Sequence, residues 1–138
     1  MAYIVVDGDG TVFTHDYPEI GKDIGAAPVL RKLIENKHKI ILFTMRSDKE
    51  DIKKSIAGRT DFLTQAVEWF EKNKIPLFGI QTNPTQKNWT SSPKAYGQLI
   101  IDDAALGCPI KTDLSISDRP FIDWVKAEEM LIKMGYIK

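Results

Sequence analysis

Four short apolar runs constrain what this 138-residue chain can fold into. Each run is rich in β-branched, leucine or aromatic side chains and contains almost no polar residue. Short continuous runs of this kind are typical of strands that are buried on both faces, as in a parallel sheet. The four predicted strands are Tyr3–Val6, residues 40–43, Leu77–Ile80 and Leu99–Ile101.

Three stretches with apolar side chains at helical spacing separate or follow these runs. Residues 28–37 lie between the first two runs, and residues 61–74 lie between the second and the third. A third helix is predicted over residues 119–134, with Ser117 or Asp118 as its N-cap. Its buried stripe is predicted to contain Phe121, Ile122, Val125 and Leu131.

The alternation of strand and helix is typical of βαβ units. We therefore predict an α/β fold, a three-layer α/β/α Rossmann-like open parallel sheet with helices on both faces, as one domain over residues 1–138. Ligand sites of such sheets lie beyond the carboxyl ends of the strands. The polar segments 13–27, 47–59 and 81–93 are too short for a cap domain, although a short helix is expected within 47–59. We expect an open site with a minimal cap or none, bordered by residues 81–89.

Charge and hydropathy exclude several classes of partner. Nineteen basic residues balance nineteen acidic ones, so charge gives no general attraction to nucleic acid or to an anionic membrane. No apolar stretch approaches the ~18 residues of a membrane span, and the first residues lack a basic leader. The single cysteine, Cys108, has no partner for an intramolecular disulfide. We therefore expect a cytoplasmic protein.

Polar residues cluster where the predicted strands end. Residues 7–11 (DGDGT) follow the first run, and residues 44–47 (TMRS) follow the second. The fourth run is preceded by Lys94 and followed at once by Asp102 and Asp103. Because parallel strands end at the same edge of a sheet, these groups should converge in one cleft.

The chemistry of that set favours a phosphoryl site. Several carboxylates close together repel one another unless a cation or raised pKa values relieve the charge. Oxygen ligands without Cys or His favour a hard cation such as Mg²⁺, which keeps positions open for water and phosphate oxygens. Lys94 and Arg46 would add positive charge, and Thr44 would donate a hydrogen bond. Neutralising charge in this way is how phosphoryl transfer is catalysed.

These segments together resemble the four motifs of the haloacid dehalogenase superfamily. VVDGDGTV is similar to its first motif, aspartate–any–aspartate–any–threonine after a hydrophobic strand, and IILFTMRS to its second. Lys94 would be the third motif, for which Lys87 is the alternative, and LIIDDA the fourth. The motifs occur in the family's order, and the small size resembles a subgroup of short members with a minimal cap or none.

The resemblance implies a mechanism with Mg²⁺ as cofactor. Asp7 would attack phosphorus and form an aspartyl-phosphate, while Asp9 would act first as acid and then as base. Thr44 and Lys94 would hold the transferring phosphoryl group. The metal would be bound by residues of motifs one and four, with Asp9 contributing its backbone carbonyl: Asp7, Asp9, Asp102 and Asp103.

Four further residues are candidates for substrate binding. Gly10 permits a tight turn after the first strand, and Thr11 can hydrogen-bond within that turn. Arg46 and Ser47 follow the second strand and would contact the substrate. His15, in the loop beyond the first motif, is interpreted as a surface residue. The implied substrate is a phosphorylated small molecule or an exposed phosphate on a macromolecule, and a neighbouring subunit of a homo-oligomer could cover the open site.

Two other functions stay open on the sequence. A phosphoryl-accepting signalling receiver also collects acids and a lysine around Mg²⁺, but its acid pair usually follows the first strand. In this chain the adjacent acids come late, at Asp102 and Asp103. The second alternative is a degenerate member that only binds a partner, supported by Gly8, where the family more often has a larger apolar residue.

Overall fold

The computed structural model describes residues 1–48 and 60–138, and it has an α/β fold built on a parallel sheet. The short helix predicted within residues 47–59 falls mainly on residues 49–59, which lie outside the described part. The sheet has four strands in the order β3-β2-β1-β4, so the first strand lies between the second and the fourth. The strands are β1 (Tyr3–Val6), β2 (Lys39–Leu42), β3 (Leu77–Ile80) and β4 (Leu99–Ile101). The four apolar runs therefore form the predicted strands, with β2 beginning and ending one residue before the predicted range 40–43.

The described residues form three α-helices that follow the predicted order. They are α1 (Ala26–Glu35), α2 (Phe62–Lys72) and α3 (Trp124–Lys133). Helix α1 begins two residues before the predicted start because Gly25, at φ +90°, turns the chain directly into Ala26. Within the described part of the chain, no helix is long and apolar enough to cross a membrane.

All three helices pack against the same face of the sheet. Alternate residues of a strand point to opposite faces, and those of β1 and β2 accordingly divide between two hydrophobic clusters. Val5 and Ile41 belong to a small cluster with Ala95 on one face. The main core lies on the other face and joins the sheet to every helix, through residues that include Ile4, Val6, Leu33, Ile40, Leu42, Phe70 and Leu131.

The prediction of α-helices on both faces is corrected for the described residues. The face with Val5 and Ile41 packs against the segment 82–98, whose regular structure is the single 3-10 turn Gln86–Asn88. Two prolines, Pro84 and Pro93, interrupt this segment, which is also rich in Asn, Thr and Ser. Prolines remove helical hydrogen bonds, and these short polar side chains compete for the backbone, so no α-helix forms.

The start of the third helix also differs from the prediction. Phe121–Ile122 forms a short strand, β6, that pairs antiparallel with β5 (Ile110–Lys111). Helix α3 begins only at Trp124, and Asp123 is its N-cap because its side chain accepts from the Lys126 N–H at 3.1 Å. Val125, predicted in the buried stripe, is 70% exposed. Asp118 and Asp123 could each be the N-cap of this helix. Because Phe121–Ile122 pairs with β5, the helix begins later and Asp123 is its N-cap.

The C-terminal part of the chain supports the loop that follows β1. The Ile122 N–H donates to the Gly10 carbonyl at 3.0 Å. The indole Nε1–H of Trp124, a buried side chain, donates to the Thr11 carbonyl at 2.8 Å. Strand β6 and helix α3 thus hold residues 10–11 in place from more than a hundred residues away.

Replacing Trp124 by phenylalanine should reduce the free energy of unfolding by about 1–3 kcal/mol, since the buried Thr11 carbonyl loses its donor. Urea denaturation measures the change. Trp89→Phe is the matched control, because Trp89 is 63% exposed, and it should change stability by at most ~0.5 kcal/mol. Equal effects of the two substitutions would show that the indole hydrogen bond does not support the loop.

Candidate functional site

The register of the sheet aligns the ends of its strands. Val6 of β1 pairs with Leu42 of β2 and with Ile101 of β4, and Leu42 pairs with Ile80 of β3. The ladder continues beyond the strands, since the Asp7 N–H donates to the Ile101 carbonyl at 3.0 Å. The polar residues that follow the four strands therefore share one edge of the sheet, as predicted.

Three carboxylates meet at this edge. Oxygen atoms of Asp7, Asp102 and Asp103 all lie within 4.8 Å of one another, and all three residues are partly buried. Oxygen donors at this separation, from groups that repel one another when ionised, could together hold a metal ion, preferably a hard divalent cation. The structure thus brings together three of the four acids predicted to bind metal.

Burial and charge repulsion both disfavour the ionised form of Asp7. Burial, the larger cause, and the neighbouring carboxylates of Asp102 and Asp103 together raise the pKa of Asp7 to about 7. The Gly8 N–H and the Thr11 hydroxyl act in the opposite direction. A cation between the acids would relieve the same repulsion and favour the ionised form of Asp7.

Thr11 connects the loop after β1 to the residues after β4, and Gly10 allows their close approach. The Thr11 hydroxyl lies 3.1 Å from Asp7 Oδ2 and 3.2 Å from Asp103 Oδ1, and it accepts from the Asp103 N–H at 3.0 Å. Gly10 has a φ of +80°, and a Cβ there would lie 2.0 Å from His15 Nε2. These two candidate substrate-binding residues therefore shape the site through its acids.

His15 belongs to the site, so its interpretation as a surface residue is wrong. Its Nε2 lies 2.8 Å from Asp103 Oδ2, and its side chain is only 17% exposed. The loop after β1 folds back over residues 10–14 and brings the ring to the acids. Sequence spacing carries no signal for this return, because it depends on the positive φ of Gly10.

Asp9 is outside the cluster of three acids and binds Arg46. Asp9 Oδ2 accepts from Arg46 Nε–H, and Asp9 Oδ1 accepts from Arg46 Nη2–H, both at 2.8 Å. The pair is a bidentate ion pair in which the arginine side chain is 1% exposed. Its carboxylate is therefore not part of the metal cluster, and only the backbone carbonyl of Asp9 is left for the metal role predicted for this residue.

The guanidinium of Arg46 has no N–H left for a substrate, so the prediction that Arg46 binds the substrate is corrected. Beyond the two bonds to Asp9, its guanidinium donates to the carbonyls of Pro18, Glu19 and Phe62 at 2.7–3.3 Å. A guanidinium has five N–H donors, and all five are used here. Arg46 therefore acts on the site through Asp9.

Thr44 and Gln81 form a second rigid unit at the edge. The Gln81 side chain accepts from the Thr44 N–H at 2.8 Å and donates to the Thr44 carbonyl at 2.7 Å. Thr44 Oγ1 accepts a hydrogen bond from the backbone N–H of Arg46. A Cβ added to Gly8 would lie 3.4 Å from the same oxygen. Gln81, the first residue after β3, thus lies beside Thr44, and the border of the site by residues 81–89 stays a prediction.

Several predicted residues do not join this arrangement. Lys94 is exposed, and its ammonium makes no hydrogen bond or ion pair with any residue in the described ranges. Its role beside Asp7 therefore stays a prediction, as does that of the equally exposed Lys87. Ser47 is partly buried next to Arg46. Trp89 packs edge to face on Tyr96, with ring centroids 5.4 Å apart.

Comparison with known proteins supports the fold. A solved structure of a conserved protein coded by a locus from Bacteroides thetaiotaomicron is 26% identical to this chain, with a TM-score of 0.71. The match covers 96% of this chain and 91% of that one. No family model matches the sequence, and neither does any curated protein. The two chains thus share an α/β architecture along nearly their whole lengths.

The raised pKa of Asp7 predicts how stability depends on pH in the absence of metal. Between its ordinary value of 3.8 and about 7, Asp7 keeps a proton in the folded chain that the unfolded chain has lost. The contribution of Asp7 to stability is therefore fully present below pH 4 and is lost as pH rises to about 7. The expected loss is roughly 2–4 kcal/mol in the free energy of unfolding.

Urea denaturation of the wild type and of Asp7→Asn, both in a chelator, measures this loss. The variant should gain stability relative to the wild type as pH rises from 4 to 7, because asparagine carries no charge. Asp118→Asn, at an exposed position, should show no such gain. A constant difference between Asp7→Asn and the wild type over this range would contradict the prediction.

Proposed function

We propose that this chain is a Mg²⁺-dependent phosphate monoester hydrolase that forms an aspartyl-phosphate on Asp7. The observation that carries the proposal is the acidic triad of Asp7, Asp102 and Asp103 at the carboxyl edge of a parallel sheet. The resemblance to the haloacid dehalogenase superfamily assigns the nucleophile to one of these three acids. Its first and fourth motifs are joined here by the Thr11 hydroxyl.

We also propose that the domain has the three layers of a haloacid dehalogenase-like fold. In this chain the segment 82–98 would serve as the third layer. That segment already covers Val5 and Ile41 through Ala95. An irregular layer on that face is compatible with a site that has a minimal cap or none, as the resemblance implies.

Asp7 is the proposed nucleophile because it stands at the first aspartate of the segment VVDGDGTV, which resembles the first motif of the haloacid dehalogenase superfamily. Its carboxylate must be ionised to attack phosphorus, and the neighbouring acids oppose that ionisation. Mg²⁺, when bound by the triad, would supply the positive charge that keeps Asp7 ionised and neutralises the phosphoryl oxygens. Asp102 and Asp103 would hold the ion from β4, and Thr11 and His15 would orient Asp103.

Thr44 and Asp9 would complete the reaction. Thr44 Oγ1 accepts from the backbone N–H of Arg46, so the hydroxyl proton of Thr44 is available to donate to a phosphoryl oxygen. Asp9 is oriented by its bidentate contact with Arg46 and would take a proton from the water that cleaves the aspartyl-phosphate. The substrate in this proposal is a phosphorylated small molecule or an exposed phosphate on a macromolecule.

A phosphoryl-accepting module that does not turn over is the second candidate. The observation that favours it is the exposed position of Lys94, whose ammonium contacts none of the acids in the described residues. Without that charge, Asp7 could take up phosphate from a reactive donor and then release it slowly. Acetyl phosphate tests this alternative, because stable phosphorylation of Asp7 without turnover would identify an acceptor.

Asp7→Asn should abolish the hydrolysis of p-nitrophenyl phosphate in Mg²⁺, reducing kcat at least 10³-fold, because the amide cannot serve as the nucleophile. Release of p-nitrophenolate is measured by absorbance, and an acid quench followed by mass spectrometry detects phosphate on Asp7. Chelation should remove the wild-type activity, and added Mg²⁺ should restore it.

Asp118→Asn serves as the matched control. It removes an exposed carboxylate that is not part of the acidic triad, so the variant should keep full activity. If Asp7→Asn retained the wild-type rate, the nucleophile would be another group. If a broad panel of phosphate esters gave no turnover in Mg²⁺, the hydrolase proposal would be wrong.

A further inference from the structure

We propose that the sheet face opposite the three helices binds single-stranded nucleic acid. Exposed aromatic rings would stack on its bases, and lysines would contact its phosphates. This surface is made by residues 82–98 together with Tyr3, Lys39 and Phe78, and it is called the aromatic face. It does not include the acidic triad, so the inference goes beyond the proposed hydrolase function and does not depend on it.

A row of four aromatic rings crosses this face. Phe78 stacks on Tyr3 with ring centroids 5.5 Å apart, and Tyr3 packs against Tyr96 at 5.8 Å. Trp89 ends the row, edge to face on Tyr96. Trp89 and Tyr96 are 63% and 39% exposed, whereas tryptophan is on average a highly buried residue. The row therefore presents two rings to a ligand.

The charged side chains of the aromatic face are all lysines. The thirty residues 72–101 contain four lysines and no aspartate or glutamate, in a chain with nineteen acidic residues. Lys87 and Lys94 lie in this stretch and are exposed, and neither ammonium makes a hydrogen bond or ion pair within the described ranges. Lys39 Nζ lies 4.8 Å from the centre of the Phe78 ring. The neutral chain thus separates its charges, and this face attracts anions.

Two buried amides hold the segment 82–98 in one conformation. The Gln86 side chain accepts from the backbone N–H groups of Asn83 and Tyr96 at 3.3 and 2.9 Å. It donates to the carbonyls of Ser92 and Lys94, both at 3.0 Å. The Asn83 side chain donates to the Tyr96 carbonyl at 3.0 Å. The backbone that carries Lys94 and Tyr96 is therefore preorganised, which lowers the entropic cost of binding.

A groove of about 290 Å³ opens beside the two exposed rings. Its lining includes Trp89, Tyr96, Lys94, Ser92 and Ile100. The groove is close in size to the lower end of the ~300–1,000 Å³ range that is typical of ligand pockets. Aromatic and apolar walls suit a flat base, the hydroxyl can hydrogen-bond its edge, and the ammonium suits the phosphate that accompanies it.

Single-stranded nucleic acid is the partner whose chemistry uses both the rings and the lysines. Aromatic side chains stack on bases that are not already stacked in a duplex, and lysines pair with the phosphates that follow one another along the strand. An acidic peptide would pair with the lysines but offer the rings no flat partner. An apolar partner would cover the lysines without pairing them, which is unfavourable.

The aromatic face can be tested apart from the acidic triad. Tyr3 and Lys39 begin β1 and β2, whereas Asp7 follows the end of β1. Four residues of extended chain separate Tyr3 from Asp7 by about 13 Å. Oligonucleotides that lack a terminal phosphate, measured in a chelator, therefore report on the aromatic face and not on the proposed hydrolase.

Fluorescence anisotropy with labelled twelve-nucleotide uridine and thymidine oligomers measures binding to the wild-type protein. We expect saturable binding of at least one of them, and the tighter of the two identifies the sugar. A duplex of the same length and a strand of abasic sugar phosphates should each bind at least 10-fold more weakly, because neither offers free bases. Equal affinity for the abasic strand or for an equally charged phosphoserine peptide would overturn the inference. Absence of binding by both oligomers would overturn it too and leave the hydrolase proposal untouched.

Trp89→Ala tests the stacking contact. It should weaken binding of the tighter oligomer by about 5- to 150-fold, and Trp89→Phe, which keeps a ring, should recover most of the loss. Val125→Ala is the control, since it removes an exposed apolar side chain from α3, on the other face of the sheet, and should leave Kd unchanged. Wild-type affinity in Trp89→Ala would show that the ring does not bind bases, and the inference would be wrong.

Replacing Lys87 and Lys94 together by glutamine tests the phosphate contacts. The double variant should bind at least 10-fold more weakly, and the slope of log Kd against log salt concentration should fall by about 1.4, because two phosphate contacts are lost. The matched control replaces Lys126 and Lys133, two exposed lysines of α3, by glutamine and changes the net charge equally. Equal losses in the two double variants would show attraction without a defined site and would overturn the inference.

Discussion

Repulsion among three carboxylates at one edge of the sheet is the constraint on which the rest of the site depends. Asp7, Asp102 and Asp103 are brought together by backbone pairing between β1 and β4, which the buried apolar strands enforce whatever the charge on the acids. The molecule therefore concentrates negative charge at the cost of a protonated Asp7 near neutral pH. A cation held by the three acids would remove this cost.

The acidic cluster can be predicted from the sequence because it depends only on where regular strands begin and end. Continuous apolar runs indicate buried strands, parallel strands end at a common edge, and the residues that follow them can be read directly from the chain. Asp7 and Asp102 follow paired strands by this logic alone. The same logic extends to Gln81, the first residue after β3, which holds Thr44 through both ends of its amide.

The sequence does not predict contacts made by loops that fold back. The burial of Arg46 depends on carbonyls of Pro18 and Glu19, and the position of His15 depends on a positive φ at Gly10, so neither follows from spacing. Local preference also failed where tertiary pairing competed with it. Phe121–Ile122 suits a helical stripe, yet it pairs with β5 and delays α3 to Trp124.

The bond between Trp124 and Thr11 joins residues 113 positions apart, and the bonds between Thr11 and Asp103 join residues 92 apart. Contacts of such long range form late, because loop closure must precede them. A nascent chain that has not reached Asp103 would therefore carry Asp7 without the two acids that lie beside it in the fold. The loop after β1 would gain the support of Trp124 only when a further twenty or so residues had been added.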